Sequence, residues 1–213
     1  MRAAAVLLLL CPFGHAWAQE AAETKLVIQQ GGREIGREEF TLTGGRGRGA
    51  PGTTLRANAR YPANNPTLRL AATLERTAES ALAKFQLDVQ GPNGAMVILA
   101  AGSGARLIIR TVAKGSEAGR ELPGGPDVVL LDEGVFSLYI AVADMATPEG
   151  KALTAVFPRT AQRASFVARR DPGGGNRITL TGDVRGTLET DGQGRLVRLE
   201  LPASGTLVSR AQD

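Results

Sequence analysis

The sequence predicts a mainly β protein: a long curved antiparallel sheet or an unclosed β-barrel, with one helix (about residues 134–146) packed on the concave face. Three observations lead to this prediction. Apolar and polar residues alternate along several short segments, glycine- and proline-rich turns separate these segments, and one stretch is apolar on nearly every side. The chain has 213 residues, which is enough for one domain with a sizeable core.

A period of two marks several short segments. In the first of them Leu68, Leu70 and Leu74 share one face, and polar residues point the other way. This pattern is typical of an antiparallel strand with one buried face. The segments with this pattern are residues 67–75, 84–90, 105–112, 177–181 and 195–201.

Turn residues separate the predicted strands. Gln-Gly-Gly-Arg stands at residues 30–33, Gly-Pro-Asn-Gly at 91–94 and Asp-Gly-Gln-Gly at 191–194. Glycine allows the positive φ angles that tight hairpin turns require, and proline is suited to turns and unsuited to central strands. Short strands joined in this way indicate an all-β sheet, sandwich or barrel.

One stretch, residues 135–146, breaks the alternation because it is apolar almost throughout. Asp132 before it can cap a helix, Glu133 is favourable in a first turn, and Thr-Pro-Glu-Gly at residues 147–150 ends the stretch. We therefore predict a buried helix lying on the sheet. One more strand is the alternative, because Val, Ile, Phe and Tyr also suit strands.

The N-terminus has the features of a secretory signal peptide. Arg2 gives it a positive charge, residues 3–10 are apolar, and Ala-Trp-Ala at residues 16–18 is a small-x-small cleavage pattern. We expect residues 1–18 to be a signal peptide and residues 19–213 to be a single antiparallel β domain. The expected location is the periplasm, with the extracellular space as the alternative. No later stretch is long and apolar enough to predict a transmembrane helix.

The single Cys, His and Trp all lie within that predicted signal, as Cys11, His15 and Trp17. The remaining sequence then has no thiol and no imidazole. It is therefore not expected to form disulfides, to bind zinc through Cys or His, or to carry a Ser-His-Asp triad. We expect no cofactor and no metal site.

The net charge and the adjacent acidic pairs give little evidence for nucleic-acid binding or for catalysis. The formal net charge is +4, and the basic residues are interleaved with acids, so we expect no nucleic-acid partner. Glu38-Glu39 and Asp132-Glu133 are adjacent acidic pairs. Neighbours on a strand point to opposite faces, so neither pair alone gives two carboxylates across a cleft. The sequence therefore favours a protein that is not an enzyme, although acids distant in sequence can still meet in the fold.

Three pieces of the chain together carry a family resemblance. They are the opening hairpin (residues 26–31 and 34–40), the segment 130–132 entering an apolar helix and leaving through a strand that ends at 156–159, and the final hairpin (residues 191–197). The arrangement resembles exported bacterial proteins with a long curved antiparallel sheet. It is also similar to periplasmic lipoprotein carriers of the LolA/LolB kind.

The resemblance to such carriers implies an unclosed barrel that holds acyl chains on its concave face, under a helical lid. The expected function is then the binding or carrying of an apolar, lipid-like ligand between sheet and helix. An envelope structural or protein-interaction module with a packed core, and with an envelope protein as its partner, is the alternative. The candidate ligand-binding residues are Phe85, Leu87, Leu107, Ile109, Phe136, Tyr139, Ile140, Phe157 and Phe166.

Overall fold

The computed structural model describes residues 22–173 and 175–211, so the predicted signal peptide lies outside the described residues. The described chain is mostly strand, with one short α-helix. The strands are β1 (Thr24–Gln30), β2 (Arg33–Gly44), β3 (Thr53–Tyr61), β4 (Leu68–Arg76), β5 (Leu82–Gly91), β6 (Gly94–Ser103), β7 (Arg106–Ala113), β8 (Ser116–Pro123), β9 (Val128–Leu130), β10 (Lys151–Phe157), β11 (Gln162–Arg170), β12 (Arg177–Gly182), β13 (Gly186–Thr190), β14 (Leu196–Leu201) and β15 (Thr206–Arg210). The helix α1 is Ile140–Met145, and 3₁₀ turns occur at Gly47–Gly49, Phe136–Tyr139 and Pro202–Ser204.

All the strands in residues 22–173 and 175–211 belong to one open 15-stranded sheet, which confirms the predicted long antiparallel sheet. The order is β8-β7-β6-β5-β4-β3-β2-β1-β15-β14-β13-β12-β11-β10-β9. The first and last strands pair antiparallel in the middle of the sheet. The chain therefore runs outward to one edge at β8 and returns from the other edge, where β9 pairs parallel with β10.

Several strands bury alternate residues, as the period of two predicts. On β5, Phe85, Leu87 and Val89 are buried, whereas Gln86 and Asp88 face outward. Buried residues from strands near both edges belong to the same core cluster. One sheet can bring side chains from strands so far apart into one core only by curving, so we call the buried face the inner face and the other the outer face.

A helical segment lies on the inner face, and we use this term for the 3₁₀ turn Phe136–Tyr139 together with α1. Its residues from Phe136 to Ala143 are all buried, although they surround the helical axis on every side. A helix that is apolar all round must be covered all round. The prediction of one helix on the concave face is confirmed, and the strand alternative for this stretch is wrong.

No helix in the described part of the chain has the length and apolar character needed to cross a membrane.

Candidate functional site

A buried carboxylate from the sheet caps the helical segment. Glu38 on β2 is fully buried, and its two oxygens accept hydrogen bonds from the backbone N–H groups of Phe136 (2.7 Å) and Ser137 (3.0 Å). The first N–H groups of a helix have no partner within the helix, so this carboxylate satisfies two of them. Burial raises the pKa of Glu38 to about 7, against the lowering effect of hydrogen bonds from Ser137 and Phe136.

Asp132 does not cap the helical segment, so the prediction of this cap is wrong. The segment begins only at Phe136, and no side chain of its own preceding turn caps it. Asp132 is buried and accepts two hydrogen bonds from Arg159, at 2.7 and 2.8 Å, and one from the backbone N–H of Gly134 at 2.8 Å. A paired guanidinium is what makes a buried carboxylate tolerable.

Tyr61 joins this polar cluster from the end of β3. Its hydroxyl donates a hydrogen bond of 2.8 Å to the carbonyl of Gly134. Burial raises the pKa of Tyr61, and the negative charges of Glu38 and Asp132 raise it further. The phenol therefore stays protonated and remains a donor. Three parts of the sheet thus hold the chain around the start of the helical segment: β2 through Glu38, the end of β3 through Tyr61, and the turn after β10 through Arg159.

Gly36, which lies opposite Tyr61 on β2, makes room for this ring. A Cβ at Gly36 would lie 2.3 Å from two ring carbons of Tyr61 and 2.9 Å from the backbone carbonyl oxygen of Arg60. We expect Gly36→Ala to destabilise the protein by about 1–3 kcal/mol, because the ring must move and lose its bond to Gly134. Urea unfolding measures this loss. In a Tyr61→Ala background the same substitution should cost less, and the remaining cost comes from the contact with the Arg60 carbonyl oxygen. An equal cost in both backgrounds would show that the Tyr61 ring is not the cause.

The other end of the helical segment is also fixed to the sheet. Arg76 on β4 is buried and pairs with Asp144 at 2.7 Å, while its other nitrogens donate to the carbonyl of Ser80. Arg170 on β11 donates to the carbonyl of Ala143, one of the last carbonyls of the helix. Cations at a helix C-terminus are favourable, so these arginines hold the end that the capping carboxylate does not reach.

The space directly beneath the helical segment is filled by side chains. The helical segment contacts β2, β11, β13 and β14. Leu138 and Val142 of the segment are buried, and so are Phe40, Leu188 and Leu199 on three of these strands. The helix and the sheet therefore meet as a packed core in this region, with no gap for a ligand.

A cleft opens beside this packed region, and we call it the inner cleft. It lies where the turns after β1, β12 and β14 meet the start of the helical segment, and its volume is about 470 Å³. Its apolar lining comes from Ile35, Phe136, Tyr139, Phe157, Val184 and Leu201. Exposed polar residues stand at its rim: Gln30, Glu133, Asp183, Arg185 and Ser204.

A bulge in the first hairpin helps to form this cleft. The register of β1 and β2 shifts between Ile28 and Gln29, so that Ile35 is an extra residue with no partner on β1. An extra residue in one strand redirects side chains locally. The turn itself is held in place because Gln30 donates to the carbonyl of Ser204 and the N–H of Gly31 donates to the carbonyl of Gly205.

The candidate ligand-binding residues divide into two groups. Three of them, Phe136, Tyr139 and Phe157, line the inner cleft together. The others are buried in the packed core, with at most 3% of their surface exposed: Phe85, Leu87, Leu107, Ile109, Ile140 and Phe166. Their role in ligand binding stays a prediction. The sequence analysis did not identify Ile35 and Val184, because a bulge and a turn carry no period-two signal. Leu201 lies in a segment with that signal but was not among the candidate ligand-binding residues.

Two buried carboxylates near the cleft are occupied by protein groups, whereas Glu133 and Asp183 are exposed at its rim. Glu38 accepts hydrogen bonds from the start of the helical segment, and Asp132 accepts hydrogen bonds from Arg159. Among residues 22–173 and 175–211, no three Asp, Glu, His or Cys side chains come together as a metal site would require. The chemistry that the cleft itself offers is apolar contact, with hydrogen-bonding groups at the rim.

Fold and cleft together define a class: a mainly β protein with one open sheet wrapped around a short helical segment. Among solved structures, the chain is similar to a DUF1089 family protein from Pseudomonas aeruginosa, with a TM-score of 0.46 and 11% sequence identity. The likeness covers 92% of this chain and 97% of that chain, and at this level it carries no argument about function. No protein-family model and no curated protein matches the sequence.

Proposed function

We propose that this chain is an exported, non-enzymatic binding protein whose ligand is an apolar, lipid-like molecule held in the inner cleft. The observation that carries the proposal is the convergence of six large apolar side chains on one open cleft of about 470 Å³. Sites for small molecules are concave, mostly apolar, and commonly about 300–1,000 Å³ in volume. The resemblance to LolA/LolB-like carriers and the signal-like N-terminus agree with this proposal.

The cleft favours a ligand with one apolar arm and a polar end. Phe136, Tyr139 and Val184 are buried side chains that nevertheless line the cleft, so an apolar arm would complete their cover. Contact of this kind contributes about 25 cal/mol for each Å² of apolar surface removed from water. Asp183 and Arg185 at the rim leave a polar end of the ligand in contact with hydrogen-bonding groups.

Native mass spectrometry tests this proposal. The protein is incubated with a bacterial lipid extract, and we expect a lipid adduct that the Leu201→Trp variant loses, because the larger side chain fills the cleft. Val112→Trp is the matched control. Val112 lies on β7, is 38% exposed and does not line the cleft, so this variant should keep the adduct. A clean apo mass for the unaltered protein, or an adduct kept by Leu201→Trp, would count against the proposal.

Export has its own test. The full chain should appear in the periplasmic or extracellular fraction of its host, whereas a chain that starts at Gln19 should stay in the cytoplasm. Equal distribution of the two would contradict export and leave the binding proposal standing.

The second candidate is an envelope structural or interaction module, and a specific observation favours it. The helical segment is fixed at both ends by buried charged groups, and the space under it is packed. Such a core needs no ligand. A clean apo mass together with a co-purifying envelope protein would favour this candidate.

A further inference from the structure

Three arginines lie side by side on the outer face of the sheet, and we call them the arginine row. In the register of the sheet, Arg37 on β2 lies opposite Arg60 on β3, and Arg60 lies opposite Arg69 on β4. Residues directly opposite on neighbouring strands have Cβ atoms about 4.5–5.5 Å apart, and like charges in such positions destabilise a sheet. A row of three is therefore an arrangement that needs negative charge nearby.

The protein supplies only part of that negative charge. Arg37 pairs with Glu34 at 2.7 Å, whereas Arg60 reaches Glu39 only at 3.6 Å. In the described part of the chain, Arg69 has no carboxylate oxygen within the 4.0 Å of an ion pair. Arg60 and Arg69 thus keep most of their hydrogen-bonding capacity for another partner.

A cleft lies next to these two arginines, and we call it the outer cleft. Its volume is about 230 Å³, and Arg60 and Arg69 line it together with the amide side chains of Asn58 and Gln90. Ala71 lies between Asn58 and Asp88 in the register, and its short side chain leaves the space open. Two guanidinium groups and two amides therefore border one small depression.

Two acids also border the outer cleft and weaken its positive potential. Glu39 is the partner of Arg60, and Asp88 accepts hydrogen bonds from Gln86 at 3.0 and 3.2 Å. Their charges make the identity of the ligand testable, because neutralising an acid has opposite effects on the binding of an anion and of a cation.

We propose that the arginine row and the outer cleft bind a phosphate-type oxyanion. A guanidinium presents paired N–H donors in a fork that matches two oxygens of one phosphate group. The outer cleft is too small for a drug-sized apolar molecule, and its donors suit a compact anion. The site lies on the face of the sheet opposite to the inner cleft. The phosphate proposal can therefore be tested independently of the proposed lipid binding.

Titration with inorganic phosphate at low ionic strength tests this proposal, with the arginine Nε–H signals followed by NMR. We expect the Nε–H signals of Arg60 and Arg69 to shift. The double variant Arg60→Gln/Arg69→Gln should bind about tenfold more weakly or worse, since hydrogen bonds to a charged group are lost. The matched control is Arg120→Gln/Arg163→Gln, which removes the same charge from exposed positions on β8 and β11 and should keep the affinity.

Glu39→Gln gives the second test, because it removes a negative charge from the outer cleft and should tighten phosphate binding. Weaker phosphate binding by this variant, an equal loss in the control double variant, or no shift of the Arg60 and Arg69 signals would each overturn the proposal.

Vesicles of phosphatidylcholine with and without phosphatidic acid then identify the source of the anion. Sedimentation with acidic vesicles only indicates a lipid headgroup, and phosphate binding without sedimentation indicates a soluble phosphate.

Discussion

Arg159→Ala is expected to destabilise the protein by about 3 kcal/mol, which corresponds to a fall in Tm on the order of 10 °C. The side chain of Asp132 is only 2% exposed, and Arg159 donates to both of its oxygens. Without the guanidinium a buried carboxylate loses its counter-charge. We place the effect at the lower end of the range for buried pairs because Arg159 itself is 29% exposed, so that water can enter its place.

Thermal unfolding followed by circular dichroism measures this effect. Arg163→Ala is the matched control, since Arg163 is an exposed arginine on the neighbouring β11 and should change stability by no more than about 0.5 kcal/mol. The double variant Arg159→Ala/Asp132→Asn should recover part of the loss, because it removes the unpaired charge. A double variant no more stable than the single one would show that charge burial is not the cause.

The second large effect is a dependence of stability on pH that arises from Glu38. Its pKa is raised to about 7 in the folded protein from an ordinary value of 4.5. Between these two values the folded state binds more protons than the unfolded state, so stability falls as pH rises. The contribution of Glu38 to the free energy of unfolding is fully present below pH 4.5 and is lost as the pH rises through 7. Its size is about 3 kcal/mol.

Urea unfolding at intervals from pH 4.5 to 8 measures this dependence. Glu38→Gln should flatten the profile, because the neutral amide does not titrate. Glu39→Gln is the control one residue away: its side chain is 33% exposed on the outer face, and this variant should keep the slope of the original protein. Asp191 has a pKa lowered to about 2. Its contribution to stability therefore has the opposite dependence on pH, and it changes only at pH values below this range. Parallel profiles for the original protein and Glu38→Gln would contradict the assignment.

The alternation of apolar and polar residues, together with the turn residues, was sufficient to predict most of the strands. The alternation in residues 84–90 places Phe85 and Leu87 on one face, and the structure buries them. β8 is a strand that these two patterns do not predict. All but one of its residues are exposed, it carries no alternation, and it is a strand only because it pairs with β7 along its length. A polar edge strand is specified by its neighbour and not by its own composition.

The candidate site was predictable in part. Phe136 and Tyr139 are large apolar residues in the one segment that breaks the strand pattern, so sequence could single them out. Glu38 carried a signal that was available: it stands two residues before Phe40 on a strand, and residues at that spacing share a face. An acid on the apolar face of a strand indicates a buried partner, but only the fold shows that this partner is a helix start about a hundred residues away.

The sequence by itself determined a mainly β chain of antiparallel strands and one buried apolar segment for which it favours a helix, because period and turn residues act over a few positions of the chain. Only the tertiary structure decided how the helix is fastened and where an opening remains. Both features join residues that are far apart in sequence. One example is the hydrogen bond from Phe136 to Glu38, and another is the group of turns that meet at the inner cleft. Their geometry depends on how strongly the whole sheet curves, and no local pattern encodes that curvature.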